Sequence, residues 1–264
     1  MMRTLHSEWT KLRTQRGTLV ALITTGVLMV GFSAFFASEQ HTDTRFPGDD
    51  DVVQMGLMGI AFAEIAVVVA GASLITAEFA SGMIRTTLTA TQGRLRVLLA
   101  KALVLSVVVF PVALATTALG FVVAQSLLRG NGYAPPAYPE VSLTDPSAAR
   151  AVVGTALLVA AYALLALGIG TILRHSGATI ATGVGVLFLP LLFLGAFPES
   201  FARRLEQFTP LAGMAIQSTG DRMLMAFDGR SGMPISPWQG LAVAFAWALG
   251  ALALGFVALR YRDA

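Results

Sequence analysis

The chain has 264 residues, of which 55% are hydrophobic and 12% charged, with a formal net charge of +3. That is too much apolar surface for one soluble core, so a bilayer has to be the solvent, and the basic balance belongs beside an anionic membrane leaflet rather than on nucleic acid. The chain has no cysteine, which removes disulfides, thiol catalysis and thiolate metal sites and leaves the compartment open.

The opening MMRTLHSEWTKLRTQR places Leu5, Trp9 and Leu12 on one helical stripe, with Arg3, Glu8, Lys11 and Arg13 off it. This pattern predicts a short amphipathic helix lying in the membrane interface, with Trp9 as its anchor. Uncharged runs follow at 17–38, 102–128, 151–173, 176–198 and 231–259, and a sixth at 52–77 is interrupted only by Glu64. Each is long enough to cross about 30 Å of hydrocarbon as a helix. The expected architecture is therefore all-α and polytopic, one transmembrane domain over 1–264, with spans near 18–37, 55–76, 102–125, 151–173, 177–197 and 238–259. The first run follows a cationic start, is too long for a signal h-region and lacks an A-x-A site, so it reads as an uncleaved anchor.

Six crossings put both termini on one side. That side collects Arg3, Lys11, Arg13, Arg16, Arg85, Arg94, Arg96, Lys101, Arg174, Arg260 and Arg262, which is 11 of the 18 cations. The other side holds Arg45, Arg129, Arg150, Arg203, Arg204, Arg222 and Arg230, and most of the acids. The positive-inside rule makes the first side cytoplasmic. On the outer side, the run Asp49, Asp50, Asp51 reads as solvated surface. The Pro- and Gly-rich 129–150 segment reads as an irregular connection with Tyr133 and Tyr138 at headgroup level. The 198–237 segment is too polar to span and too apolar to be a free linker, which suggests short helices packed on the spans. Trp238 and Tyr261 mark the two interfaces of the last span.

Within the spans, Gly177, Ala181 and Gly185 fall four apart and predict a tightly packed helix face. Pro111 and Pro190 interrupt two helices. Glu64 is the one acid well inside a span, where ionisation costs on the order of 2–3 kcal/mol. It marks either a polar cavity on a translocation path or a carboxyl held protonated or hydrogen-bonded for structure. Catalytic chemistry is missing: the only lysines, Lys11 and Lys101, are followed by Leu12 and Ala102, which rules out a P-loop. His6, His41 and His175 lie outside the hydrophobic runs, and no H-E-x-x-H spacing occurs. No catalytic, metal-binding or cofactor-binding residue is expected.

The segment EFASGMIRTTLTATQGRLRVLLAK at 78–101 lies between the second and third runs. It starts with an acid at the membrane exit, breaks at Ser81–Gly82 where glycine permits a sharp turn, continues as a short helical MIRTTL, and ends in a basic run placing Arg94, Arg96 and Lys101 at headgroup level. Together with SEWTKLRT at 7–14 and six spans with both ends inside, this segment resembles the membrane subunit of a type-2 ATP-binding-cassette exporter, the six-helix permease found especially in actinobacteria. TATQGR departs from the proline-containing turn that relatives often carry. The resemblance implies a permease homodimer in the bacterial plasma membrane with two copies of a separate ATPase, which would hold the ATP and magnesium. It also implies a coupling helix, made here of Glu78, Gly82, Arg85, Thr86, Thr87 and Leu88, and export of a drug, antibiotic or lipid. Two readings of other classes stand beside it: an ion-coupled secondary transporter and a non-transporting membrane scaffold.

Overall fold

With no water in a bilayer to satisfy backbone groups, each long uncharged stretch folds as a helix that closes its own hydrogen bonds. The computed structural model describes residues 2–41, 50–90, 93–193, 198–219 and 235–261. Its helices are α1 (Met2–Thr14), α2 (Arg16–Glu39), α3 (Val52–Met55), α4 (Ile60–Ala80), α5 (Met83–Ala90), α6 (Arg94–Gly130), α7 (Pro146–Leu173), α8 (Ser176–Phe193), α9 (Glu199–Phe208), a 3₁₀ helix (Pro210–Gln217) and α10 (Pro237–Tyr261). No strand occurs among the described residues. The outer-side charges expected at Asp43, Arg45, Asp49, Asp221, Arg222, Asp228 and Arg230 lie outside them, as does Arg262.

Among the described residues, five helices are long and apolar enough to cross a membrane: α2, α4, α6, α7 and α10. The expected span at 177–197 is represented by α8, an apolar helix of 18 residues, about 27 Å long. α6, with 37 residues, extends well past any bilayer, so the basic run GRLRVLLAK is the helical start of the third long element.

The bundle has two distinct ends. At one, α1 packs on the start of α6, the side chain of Arg94 donates to the carbonyls of Leu259 and Arg260 at the end of α10, and Arg174 lies 5.1 Å from the Phe79 ring centroid. At the far end, Asn131 Nδ2 donates at 3.0 Å to the carbonyls of Ala37, Ser38 and Gln40, and Arg150 donates at 2.7 Å to the Ser218 carbonyl. The first and last described residues therefore share the α1 end.

α7 is the central helix, and its small residues let neighbours approach to backbone contact. A Cβ built on Gly71 of α4 would stand 2.2 Å from the Ala163 carbonyl oxygen of α7, and one built on Gly168 would stand 2.6 Å from the Ala251 carbonyl carbon of α10. Gly71→Ala is expected to cost about 1–3 kcal/mol, because the obstacle is backbone that cannot rotate away. Gly31→Ala, with nothing within 4 Å of its Cβ, serves as the control in detergent thermal unfolding. Equal midpoints for the two variants would contradict the α4–α7 packing.

Two expectations are corrected, that Asp51 is solvated and that the small face of α8 is packed. Asp51 is 7% exposed: its carboxylate caps α3 by accepting from the Gln54 N–H and also accepts from the Thr219 N–H and hydroxyl at 2.5 and 2.7 Å. A helix N-terminus needs an acceptor, and the chain beyond the 3₁₀ helix brings two more donors, so this acid is drawn out of solvent. Tyr133 and Tyr138 are likewise buried, with ring centroids 4.9 Å apart, packed with Ala37, Val52, Met55, Ala124 and Leu128. They close a small second core, with Tyr138 Oη donating to Asp50 at 3.0 Å. The small face of α8 is not packed: the only atom near a Gly185 Cβ is Leu189 Cδ1 at 3.5 Å, on the same helix. The helices expected between 198 and 237 are present as α9 and the wholly buried 3₁₀ helix.

Burial and the nearby Asp50 charge push the Tyr133 phenol up to about 12. A phenol held neutral in the fold stabilises fully below its unfolded value near 10, and that contribution is lost as pH rises from 10 toward 12. The unfolding midpoint should therefore fall more steeply above pH 10 in the native sequence than in Tyr133→Phe. Parallel slopes would place Tyr133 in solvent.

Candidate coupling site

At the α1 end, four charged side chains from three helices meet, three of them buried and the fourth, Lys11, half-buried. Glu8 of α1, Glu78 of α4 and Lys101 of α6 are 2%, 3% and 1% exposed. The Lys101 ammonium donates to Glu8 Oε2 at 2.6 Å and to Glu78 Oε1 at 2.7 Å. Lys11 of α1 donates to Glu8 Oε1 and Glu78 Oε1, both at 2.9 Å, and to Thr87 Oγ1 of α5 at 3.0 Å. The three N–H donors of Lys11 thus find three acceptors, and Thr87 passes its own proton to the Met83 carbonyl at 3.0 Å.

Two cations and two anions cancel, which is the condition for burying charge at tolerable cost. Burial alone pulls the Lys11 ammonium down, but the hydrogen bonds and charges of Glu78 and Glu8 outweigh it and leave Lys11 above the ordinary lysine value. It stays cationic through the neutral range. The chain's only two lysines both sit here, the other cations being arginines. A compact ammonium with three donors can be shared between two carboxylates where a planar guanidinium fork would demand more room.

Local sequence explains how the helices present these groups. Glu8 and Lys11 are three apart, so both point from α1 toward the bundle beside Leu12, which is 1% exposed. Leu5 packs against the core and Trp9 is 39% exposed. Between α1 and α2, Gln15 reaches α4 by donating from Nε2 to the Ser73 carbonyl at 2.9 Å. α4 ends at Ser81, and Gly82 takes φ of 71°, the left-handed turn that redirects the chain into α5. A second left-handed glycine, Gly93 with φ of 113°, turns the chain into α6.

α5 has two faces. Ile84 is 3% exposed and anchors it on the core, and Thr87 ties it to Lys11. Met83, Arg85, Thr86 and Thr89 face outward. The expected site residues therefore divide by position: Glu78 and Thr87 lie in the network, Gly82 in the turn, and Arg85 and Thr86 on the exposed face. Leu88 is on α5, and its side chain lies outside the described residues. Glu64 is elsewhere on α4, about 21 Å along the helix from Glu78. It is 5% exposed and makes no hydrogen bond or salt bridge among the described residues.

Lys101, at the end of the basic run, is the most enclosed member of the network. Glu8, Lys11 and Lys101 were not expected as site residues. Their signal was the confinement of the chain's two lysines to the ends of the two distinctive motifs, SEWTK and the basic run closing on Lys101.

Residues 4–134 match the family model described as ABC-2 family transporter protein. The match supports an ABC-2 type permease. The matched region takes in every member of the charge network and the whole of α5. No curated protein matches the chain. With the long apolar helices, the match supports a multi-pass permease subunit of an ABC transporter, and permeases of this family are membrane transport subunits that normally work with an ATP-binding-cassette ATPase.

Proposed function

We propose that this permease is one half of a homodimeric exporter in the bacterial plasma membrane, driven by two copies of a separate ATPase that hold the ATP and magnesium. The α1 end faces the cytoplasm, the chain crosses the bilayer six times with α8 as the fifth crossing, and α1 lies in the inner interface with Trp9 as its anchor. The exposed face of α5, with Arg85 and Thr86, seats against the ATPase. An amphiphile, whether drug, antibiotic or lipid, moves outward along the seam between two copies, since six helices alone enclose little space.

The observation that carries this reading is the network of Glu8, Lys11, Glu78 and Lys101. It joins α5 through Lys11 and Thr87 to α1, α4 and α6, so a push on α5 is delivered to two long apolar helices at once. Coupling of this kind requires a contiguous element with a stiff base, and a buried ion cluster supplies the stiffness.

The test is a mild-detergent pull-down of the tagged chain from native membranes, followed by flux measurements with the purified pair. A stoichiometric partner carrying G-x-x-x-x-G-K-[ST], and ATP-dependent efflux, is the expected result. Flux that follows a proton gradient without any ATPase would favour an ion-coupled carrier and direct attention to Glu64. Partner binding without flux would favour a scaffold.

A further inference from the structure

α8 leans on α4 and α7 but does not pack along α10, which leaves a cleft between the two helices. It comprises an apolar cavity of about 780 Å³ and a second of about 580 Å³, which share Thr182, Val186 and Trp247. The floor is α7 at Leu165 and Ile169, and Thr209 and Pro210 with α9 form the roof at the far end.

Three observations bear on the occupant. The first is depth: the cleft wall on α10 begins at Val243, about 8 Å below Trp238, which is 56% exposed where an interface aromatic belongs, so the cleft opens into hydrocarbon. The second is length. Along α8 the wall runs from Ala181 to Pro190, about 13 Å, close to the roughly 15 Å of one leaflet's acyl region.

The third is the mouth. Phe201 and Leu205 of α9 line the cleft while Arg204, beside them on the helix surface, is exposed. The apolar face of α9 continues to Phe208, 70% exposed, as in a helix lying at the headgroup boundary. A transmembrane helix from another copy would run into the roof of Thr209 and Pro210. A flexible chain can enter laterally beneath it and leave its phosphate beside Arg204.

We infer that the α8–α10 cleft holds an acyl chain of an anionic phospholipid from the leaflet at the α3 end, with its phosphate at Arg204. This site is separate from the α1 end, and it rests on the membrane-spanning fold rather than on the export reading.

The test uses the full chain in nanodiscs with Trp9 and Trp238 replaced by phenylalanine, leaving Trp247 in the cleft wall as the only indole. Brominated-chain phosphatidylglycerol and brominated-chain phosphatidylcholine are compared as quenchers. The expected result is a roughly fivefold preference for the anionic lipid, the factor that one surface arginine supplies. Arg204→Gln should abolish the preference. Gly185→Phe, which fills open space, should lower quenching by both lipids while leaving the thermal midpoint unchanged. Equal quenching by the two lipids in the parent, or quenching unaffected by Gly185→Phe, would overturn the inference. So would a Trp247 shielded from both lipids, the result expected if a second copy covers the cleft.

Discussion

Lys101→Met is expected to destabilise the permease by about 3–5 kcal/mol, the cost of removing one partner from a buried ionic cluster. The variant leaves Glu8 and Glu78 facing each other with only Lys11 between them, and Glu8 Oε2 loses its 2.6 Å donor. Lys11 cannot fill that gap, since its three donors are already committed. Adding Glu78→Gln should recover much of the loss: one acid and one base remain, and the amide can still accept from Lys11. The double variant is expected to be more stable than the sum of the single effects by about 1–3 kcal/mol, which a double-mutant cycle in denaturant unfolding measures directly. Strict additivity would mean that Lys101 and Glu78 contribute independently and that the network is only a set of neighbours. Lys101→Arg is also expected to destabilise, because a planar fork has to enter a space shaped for an ammonium that is 1% exposed.

The parts of this architecture that a reader of the sequence can see are those governed by local pattern. Uncharged runs mark the long helices, because charge is excluded from hydrocarbon wherever it lies in the chain. The break at Ser81–Gly82 is visible because only glycine takes φ of 71° without strain. The faces of these helices are another matter. Leu5, Trp9 and Leu12 identify α1 as amphipathic, yet the side turned inward also carries Glu8 and Lys11, whose partners lie 93 and 67 residues away at Lys101 and Glu78. No local periodicity encodes such a pairing, and read alone each of these residues belongs on a solvated face. Asp51 fails the same way, since its donors on Thr219 are 168 residues distant. Small residues mislead in the opposite direction. Gly71 and Gly168 mark true close approaches, while the small residues Gly177, Ala181 and Gly185 border open space, because whether a neighbour arrives is decided by tertiary packing and not by residue size.

Gly82→Val is expected to reduce transport at least about fivefold while leaving ATP hydrolysis by the assembled complex largely intact. Nothing stands within 4 Å of a Cβ at this position, so the substitution creates no clash, and bulk folding should survive. The cost is conformational: a β-branched residue resists φ of 71°, with a penalty of about 1–3 kcal/mol. That energy can be relieved only by turning the two-residue connection between α4 and α5. Turning it swings the Arg85–Thr86 face and pulls Thr87 off Lys11, because Ser81 and Gly82 alone separate α5 from the helix that carries Glu78. A penalty of this size corresponds to a shift of between about five- and 150-fold in the population of the aligned arrangement. Gly82→Asn, which tolerates the left-handed region better, should retain most transport, and that graded response is what distinguishes a backbone hinge from a contact residue. Full transport in Gly82→Val would remove the turn from the coupling element, and loss of the ATPase from the purified complex would show instead that Gly82 governs assembly.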